Sequence, residues 1–367
     1  MNRIHSKVWN RSLGQWVVAS ELASGDSAGM VVDCNGVARN LLTLSVMLLL
    51  GVSGGAWAAD AVCVDPVTGR PVGAASGTGN EVACGDGAVA SGYRAIAIGN
   101  NARATGSQSI GIGLNALSSS QSAIAVGTGA YATDLSAIGI GASAGATRPG
   151  SIGIGSTARA TGAGSIGIGL SAQALGNRVI AIGQWAGTGS ATGFDNLAVG
   201  VQSGQNNSSS VNAAIGYQVG NNVSSVSNVA LGNLGTGSNV SDASTQSVVF
   251  AGVTGNNVAV GGVAGQDVKG ALDVGVGWEA GRLLDGYNNV GVGALAGYNT
   301  IGNNNVGVGS FASSTVRGHR NVGVGNNAGS GVTGTANNAI GDNAGITVSG
   351  DGNFAGGRAA GNSGAGY

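Results

Sequence analysis

The side chains that could do chemistry in this chain are few and far apart. Beyond residue 58 there is one histidine, His319, one lysine, Lys269, and two cysteines, Cys63 and Cys84. A covalent catalyst needs a nucleophile with a base beside it, and a metal enzyme needs several His, Cys or carboxylate ligands at fixed spacing. No H-x-x-x-H or C-x-x-C occurs, and neither lysine follows the glycines of a phosphate-binding loop. G-x-G recurs often, but as the end of an apolar run and not ahead of a helix. His319, near Arg317 and Arg320, reads as a solvated turn residue. The expectation is a non-enzyme with no cofactor and no catalytic or metal site. The exposed reagents that remain are binding groups. Arg103 and Arg159 could meet an acidic ligand, and Tyr131 and Trp185 could anchor a partner. Tyr217, Trp278, Tyr298 and Phe311 belong to the same class. Each reads equally well as a cover for a structural edge.

The elements that carry these residues are set by a period. The quintet SIGIG stands at 109–113, 151–155 and 165–169. Closing glycines of this motif and its variants fall every 14 residues from Gly85 to Gly183. They return as Gly200, Gly216, Gly232 and Gly261, and then every 16 residues to Gly357. A fixed period over most of a chain means a stacked array rather than a globule with one central core. Within each unit of 95–192, position 2 is Ile, position 3 Ala or Gly, position 4 Ile or Val, and position 5 Gly. That is strand alternation. Ala at position 8 and a small residue at position 10, with a variable residue between, mark a second strand. The expected fold is all-β: a parallel β-roll, or solenoid, of 14- and then 16-residue two-strand coils. Its core is expected to be the isoleucines, Ile96, Ile98, Ile110, Ile112, Ile152, Ile154, Ile166 and Ile168, facing small Ala on the other wall. The bare Ala/Gly face is expected outside, against something close.

The 16-residue units place Asn at position 1 in nine of ten units, Asp273 being the exception, and the last seven add a Gly at position 14, from Gly270 to Gly366. Stacked Asn side chains can bond along the array, or Asn can simply suit the turn; both readings stand. Residues 244–256 break the period and read as a functional insertion or a degraded coil.

The composition fits this plan. Charged residues are 8% and Gly 73 of 367, with no collagen-like third-residue period. A net charge of −1 leaves no basic footprint for nucleic acid. The apolar run Leu41–Val52 has the length of a signal-peptide core and is short for a membrane span. Ala56-Trp57-Ala58 supplies an A-x-A site, so cleavage is expected between Ala58 and Ala59. No later run would hold the exported chain in a membrane. The long leader carries W-N-x-S-L-G-x-W-V-V-x-S-E at Trp9 to Glu21. It resembles the extended signal peptide region of large autotransporters of Gram-negative bacteria.

The repeats x-[IV]-[AG]-[IV]-G, with Ala three residues later, resemble the YadA-like heads of trimeric autotransporter adhesins. The resemblance covers 81–192 well and 196–361 with a longer turn. It implies a left-handed roll, packing of three chains, and non-catalytic attachment of a bacterium to host matrix or other surfaces. The expected plan is therefore a leader, 1–58; a cap segment, 59–80; a 14-residue head, 81–192; a 16-residue head, 193–361, interrupted at 244–256; and an incomplete repeat, 362–367. Family members continue into a neck, a coiled-coil stalk and a membrane barrel, and no heptads or barrel strands are seen here. The alternatives are a structural fibre or biofilm array, or a truncated passenger without an anchor. The N-x-A-[IV]-G units also resemble phage-fibre repeats, and an ice-binding array would want Thr ranks that are absent. The expected location is the cell surface or outer membrane if an anchor exists, otherwise the periplasm or medium.

One covalent expectation remains. Cys34 lies in the leader. Cys63 and Cys84 would meet an oxidising compartment, where two cysteines pair. A bridge would fasten the cap segment over the open first coil, although a buried free Cys84 at position 4 is the plainer alternative.

Overall fold

The computed structural model describes residues 6–10, 15–19, 61–64, 66–75, 79–190, 193–239 and 255–362. The expected cleavage site at Ala58 and Ala59, the apolar run before it, most of the 244–256 interruption and residues 363–367 lie outside these. The chain divides into two compact units, 1–57 and 58–367. In the first, Ser6–Asn10 and Gln15–Ala19 pair as an antiparallel hairpin, Trp9 opposite Trp16.

The second unit is a parallel β-solenoid without a helix among the described residues. Positions 2 to 4 of every coil form a strand of one long wall, and each strand pairs in register with the same positions one coil away. The wall runs from Ala61–Val62 to Phe354–Gly356 and has 19 strands. Its 18 steps of ~4.8 Å make it roughly 86 Å long. A second wall of eight two-residue strands, Ala74–Ala75 to Gln173–Ala174, backs the 14-residue coils only. In the 14-residue coils the long-wall strands have three residues and the short-wall strands two. In the 16-residue coils the second wall shrinks to one bridging residue per coil, from Lys269 and Asp285 to Thr333 and Ser349. The two added residues lengthen the turns there.

The walls face each other the opposite way from the sequence expectation. Position 3, not positions 2 and 4, points inward. Ala97, Ala125 and Ala181 are fully buried, as are Ala102, Ala116, Ala130, Ala144, Ala158, Ala172 and Ala186 at position 8. Ile96, Ile98, Ile110, Ile112, Ile152, Ile154, Ile166 and Ile168 are partly or well exposed, and Ile98 keeps 38% of its surface. They are the outer face of the long wall, not the core. The reason is thickness. A Cβ added at Gly153 would lie 2.5 Å from the carbonyl oxygen of Gly145 on the opposite wall. Backbones that close admit Ala, Gly and Ser between them and nothing larger. The bare face is thus the interior itself, not a surface waiting for a partner.

Tight corners close each coil. Position 5 needs glycine for two reasons. Gly113 has φ +128°, and a Cβ there would meet the carbonyl oxygen of Gly127 on the next coil at 2.5 Å. Positions 7 and 14 are left-handed as well, at Asn101, Asn115, Gln108 and Ser122 for example, and each makes an along-stack bond such as Asn115 N–H to Asn100 O, 2.9 Å.

Where the second wall thins, larger side chains enter. Position 12 of the 16-residue coils is buried: Val223, Val268 and Leu284 form one interior cluster, and Val316, Val332 and Val348 another. The sequence reading had no place for this row.

Candidate functional site

Four surfaces of the solenoid offer something to a partner. The first is the outer face of the long wall. Positions 2 and 4 set two parallel rows of Ile and Val along the stack, and Ile140, Ile182, Ile215, Val292, Val308, Val324 and Ile340 each keep more than a third of their surface. Strand register aligns them in ranks, Ile138–Ile152–Ile166 beside Ile140–Ile154–Ile168. This face is apolar over most of its length, Asn338 near the C-terminal end being an exposed polar exception, and so long an apolar face is seldom seen on an isolated soluble protein.

The second surface is the outer face of the short wall, where position 9 of successive coils pairs in register. Arg103, Leu117, Tyr131, Gly145, Arg159 and Gln173 form one row. Three of the four sequence-derived contact residues therefore share a line: Arg103 and Arg159 are each two coils, roughly 10 Å, from Tyr131. Both arginines are exposed. Tyr131 is half-buried because its ring lies over Gly145, where an added Cβ would fall inside the ring. It is part cover and part contact.

The third is the turn at positions 6 and 7. Trp185 lies here and not in the row. Its φ is +55° and 41% of its surface is exposed. Its carbonyl accepts from Thr188 Oγ1 at 2.8 Å and from Gln205 Nε2 at 3.1 Å. Tyr217, Trp278 and Phe311 occupy the same turn in later coils and are exposed too. Trp278 lies beside Gly262 of the preceding coil.

The fourth is the covered end. Cys63 and Cys84 are joined by a disulfide, with Cα atoms 4.8 Å apart. Cys63 N–H donates to Ala83 O, and Val72 N–H to Cys63 O. The bridge closes 21 residues and contributes on the order of 3 kcal/mol by loop-closure arguments. Glu81, fully buried at position 1 of this coil, accepts from the backbone N–H of Gly79 at 2.9 Å and of Arg94 at 3.3 Å.

Among the described residues the groups that could do chemistry stand apart from one another. Gly141-Ala142-Ser143-Ala144-Gly145 spells the nucleophile-elbow pattern, but Ser143 is a left-handed turn residue whose N–H bonds Thr128 O. No histidine lies between residues 6 and 318. His319 Nδ1 accepts from Asn303 N–H at 3.0 Å, a structural turn bond. Among the described residues no group of three His, Cys, Asp or Glu could hold a metal.

The interior also carries a polar element. The Asn residues at position 1 are buried, apart from the partly exposed Asn353 at the end of the array, and are bonded along the stack. Asn305 is representative. Its N–H and Nδ2 both donate to Asn289 Oδ1, at 3.1 Å each, and Nδ2 also donates to Gly318 O at 2.9 Å. Ladder and turn readings of these residues both hold, since one amide joins the coil below and ties down its own turn.

Against known proteins, residues 1–50 match the family described as Extended Signal Peptide of Type V secretion system. Type V export from a Gram-negative cell is therefore the route this chain is marked for, consistent with an autotransporter. No curated protein matches the chain. Among the described residues no helix is long and apolar enough to cross a membrane.

Proposed function

We propose that the solenoid is the head of a bacterial adhesin. Three copies pack through the Ile/Val face and attach the cell, without catalysis, to host extracellular matrix or another surface. The observation that carries this reading is the outward Ile/Val wall. A solenoid whose 14-residue coils are too thin inside for isoleucine has placed its Ile side chains, and the Val of the later coils, in ranks on one face, where only a partner can bury them. A second copy supplies the same ranks at the same spacing, so like faces match along the whole stack. Three is the number that the head-repeat resemblance implies. The type V leader supports surface delivery. In such an assembly the short-wall row Arg103–Tyr131–Arg159 and the Trp185 turn remain on the outside for a ligand.

Light scattering on the exported protein tests the assembly. A trimer mass is expected, and Ile154→Asp with Val308→Asp should give a folded monomer. Monomer alone at micromolar concentration in the unsubstituted protein would refute it. Ligand contact is tested on immobilised matrix proteins: saturable binding that weakens in Arg103→Ala, Tyr131→Ala or Trp185→Ala supports the row and turn. Self-association into fibres without saturable binding would favour the structural array instead.

A further inference from the structure

The Asn ladder has one foreign rung, Asp273. At Asn257, Asn305, Asn321 and Asn337 the side-chain amide donates twice: to Oδ1 of the rung below and to the position 14 carbonyl of its own coil, Gly270, Gly318, Gly334 and Gly350 in turn. Asp273 keeps the acceptor half of this pattern. Its Oδ1 accepts from Asn289 N–H at 2.8 Å and Nδ2 at 3.1 Å, and its own N–H donates to Asn257 Oδ1 at 2.9 Å. Its other oxygen stands where the amide nitrogen should be. Asp273 is 2% exposed, and Oδ2 is buried with no hydrogen-bond partner. In the Asn rungs the nitrogen at this place faces Oδ1 of the rung below and the position 14 carbonyl of its own coil; the corresponding groups for Asp273 are Asn257 Oδ1 and the Gly286 carbonyl, both acceptors, and Oδ2 and the Gly286 oxygen both lie against Gly270. A carboxylate there would be an unpaired charge among acceptors in a low-dielectric interior.

We propose that Asp273 is a proton-binding rung. It is a neutral carboxylic acid whose Oδ2–H replaces the missing amide donor, and loss of that proton loosens the coils on either side.

The surroundings agree. Packed against Asp273 are Asn257 and Gly270 from the coil below, Asn289 from the coil above, and Val268 and Leu284 in the interior. None carries charge. The charged groups of the adjoining coils point elsewhere. Lys269 and Asp285 are exposed at position 13, Asp267 sits in a turn, and Glu279 pairs with Arg282 at 3.2 Å. The void alongside measures about 10 Å³. That is room for one water at most and not for a hydrated cation. Burial drives the Asp273 carboxyl from 3.8 up to about 7, while the two bonds from Asn289 act in the opposite direction. A raised folded-state value means that the native chain holds this proton more tightly than the unfolded chain. The stability it contributes is whole below about pH 3.8, declines as pH rises, and is gone above about pH 7.

Hydrogen exchange on the exported protein tests this locally. Amides of the two coils flanking Asp273 should lose protection between pH 4 and pH 8 by up to about a thousandfold more than the amides of Asn321 and Asn337, after correction for intrinsic exchange. Asp273→Asn should abolish the difference, and Asp342→Asn, an acid on an exposed turn, should leave it intact. A carboxylate rather than a carboxylic-acid infrared band assigned to Asp273 at pH 5 would overturn the proposal, even if Asp273→Asn failed to fold. So would equal pH dependence in Asp273→Asn and the unsubstituted protein. Restored protection at pH 8 on adding calcium would also overturn it, because a metal ion would then be the occupant.

Discussion

The two halves of the solenoid solve one problem differently. In the 14-residue coils both walls are strands, the interior is one small residue thick, and cohesion comes from backbone bonds and close Ala/Gly contact. In the 16-residue coils the second wall is a single bridging residue, and the space it leaves is filled by position 12 valines and by a buried amide ladder. Position 1 shows the change most directly. Ser151 in the first half bonds within its own turn, its hydroxyl donating to Arg148 O at 2.7 Å and accepting from Arg148 N–H at 3.2 Å. Asn305 in the second half bonds to the neighbouring coil. Thin coils are held by geometry that tolerates no bulk, and thick coils by polar groups that tolerate no loss. Each half should therefore fail to a different substitution.

The largest effect is expected from bulk in the thin half. Gly153→Leu sets a side chain against the Gly145 carbonyl of the facing wall, so the coil cannot close; a loss of more than about 4 kcal/mol is expected, enough to unfold several coils. Arg159→Leu, on the outer face six residues on, should leave stability within about 0.5 kcal/mol. Circular dichroism with denaturant titration measures both, and equal tolerance of the two would mean that the interior is wider than described. Next in size is the ladder. Asn305→Ala removes the acceptor of Asn321 N–H and Nδ2 and the donor to Gly318 O. It should cost about 2–4 kcal/mol, with Ser151→Ala costing about 1 or less. Hydrogen exchange resolves the two, and comparable losses would erase the distinction between the halves. The smallest effect is expected at their junction. Arg178 and Asp195 form a two-pronged surface pair, with Nη2 to Oδ2 at 2.7 Å. The hydrogen bond from Arg178 holds the Asp195 carboxyl below its usual value of 3.8. A depressed acid contributes stability at neutral pH that is lost as pH falls through 3.8 and below. Both groups lie in solvent, so Arg178→Gln should produce only a slight drop in melting temperature, vanishing in high salt. A large, salt-independent drop would show that this junction carries more of the fold than a surface pair can.

Much of this was legible in the sequence. The 14- and 16-residue steps, the strand at positions 2 to 4 and the glycine at position 5 give the array and every coil but the first, whose strands Ala61–Val62 and Ala74–Ala75 fall in the 59–80 segment that carries no repeat. Cys63 and Cys84 were legible because the leader sends the chain to an oxidising compartment. Sidedness was not. Alternation of Ile with Ala or Gly marks two faces without saying which is inside, and the usual rule that large apolar residues go inward gave the wrong one. In a flattened coil the limiting quantity is the gap between two backbones, and no single strand encodes it. The row Arg103–Tyr131–Arg159 could be read from equal positions in successive units. That Tyr131 partly covers Gly145 could not, since it depends on the ring's direction. Asp273 was visible as one Asp among nine Asn. Its meaning needed the ladder's donors and acceptors to be counted in place.

The sequence by itself determined periodicity, strand positions, corner glycines and the export signal, because each rests on local backbone preference or on a short linear pattern. Only the tertiary structure decided which face is core, which row binds along the stack and which carboxyl must keep its proton. Those depend on the distance between two walls, and that distance is set only when every coil has closed against the next.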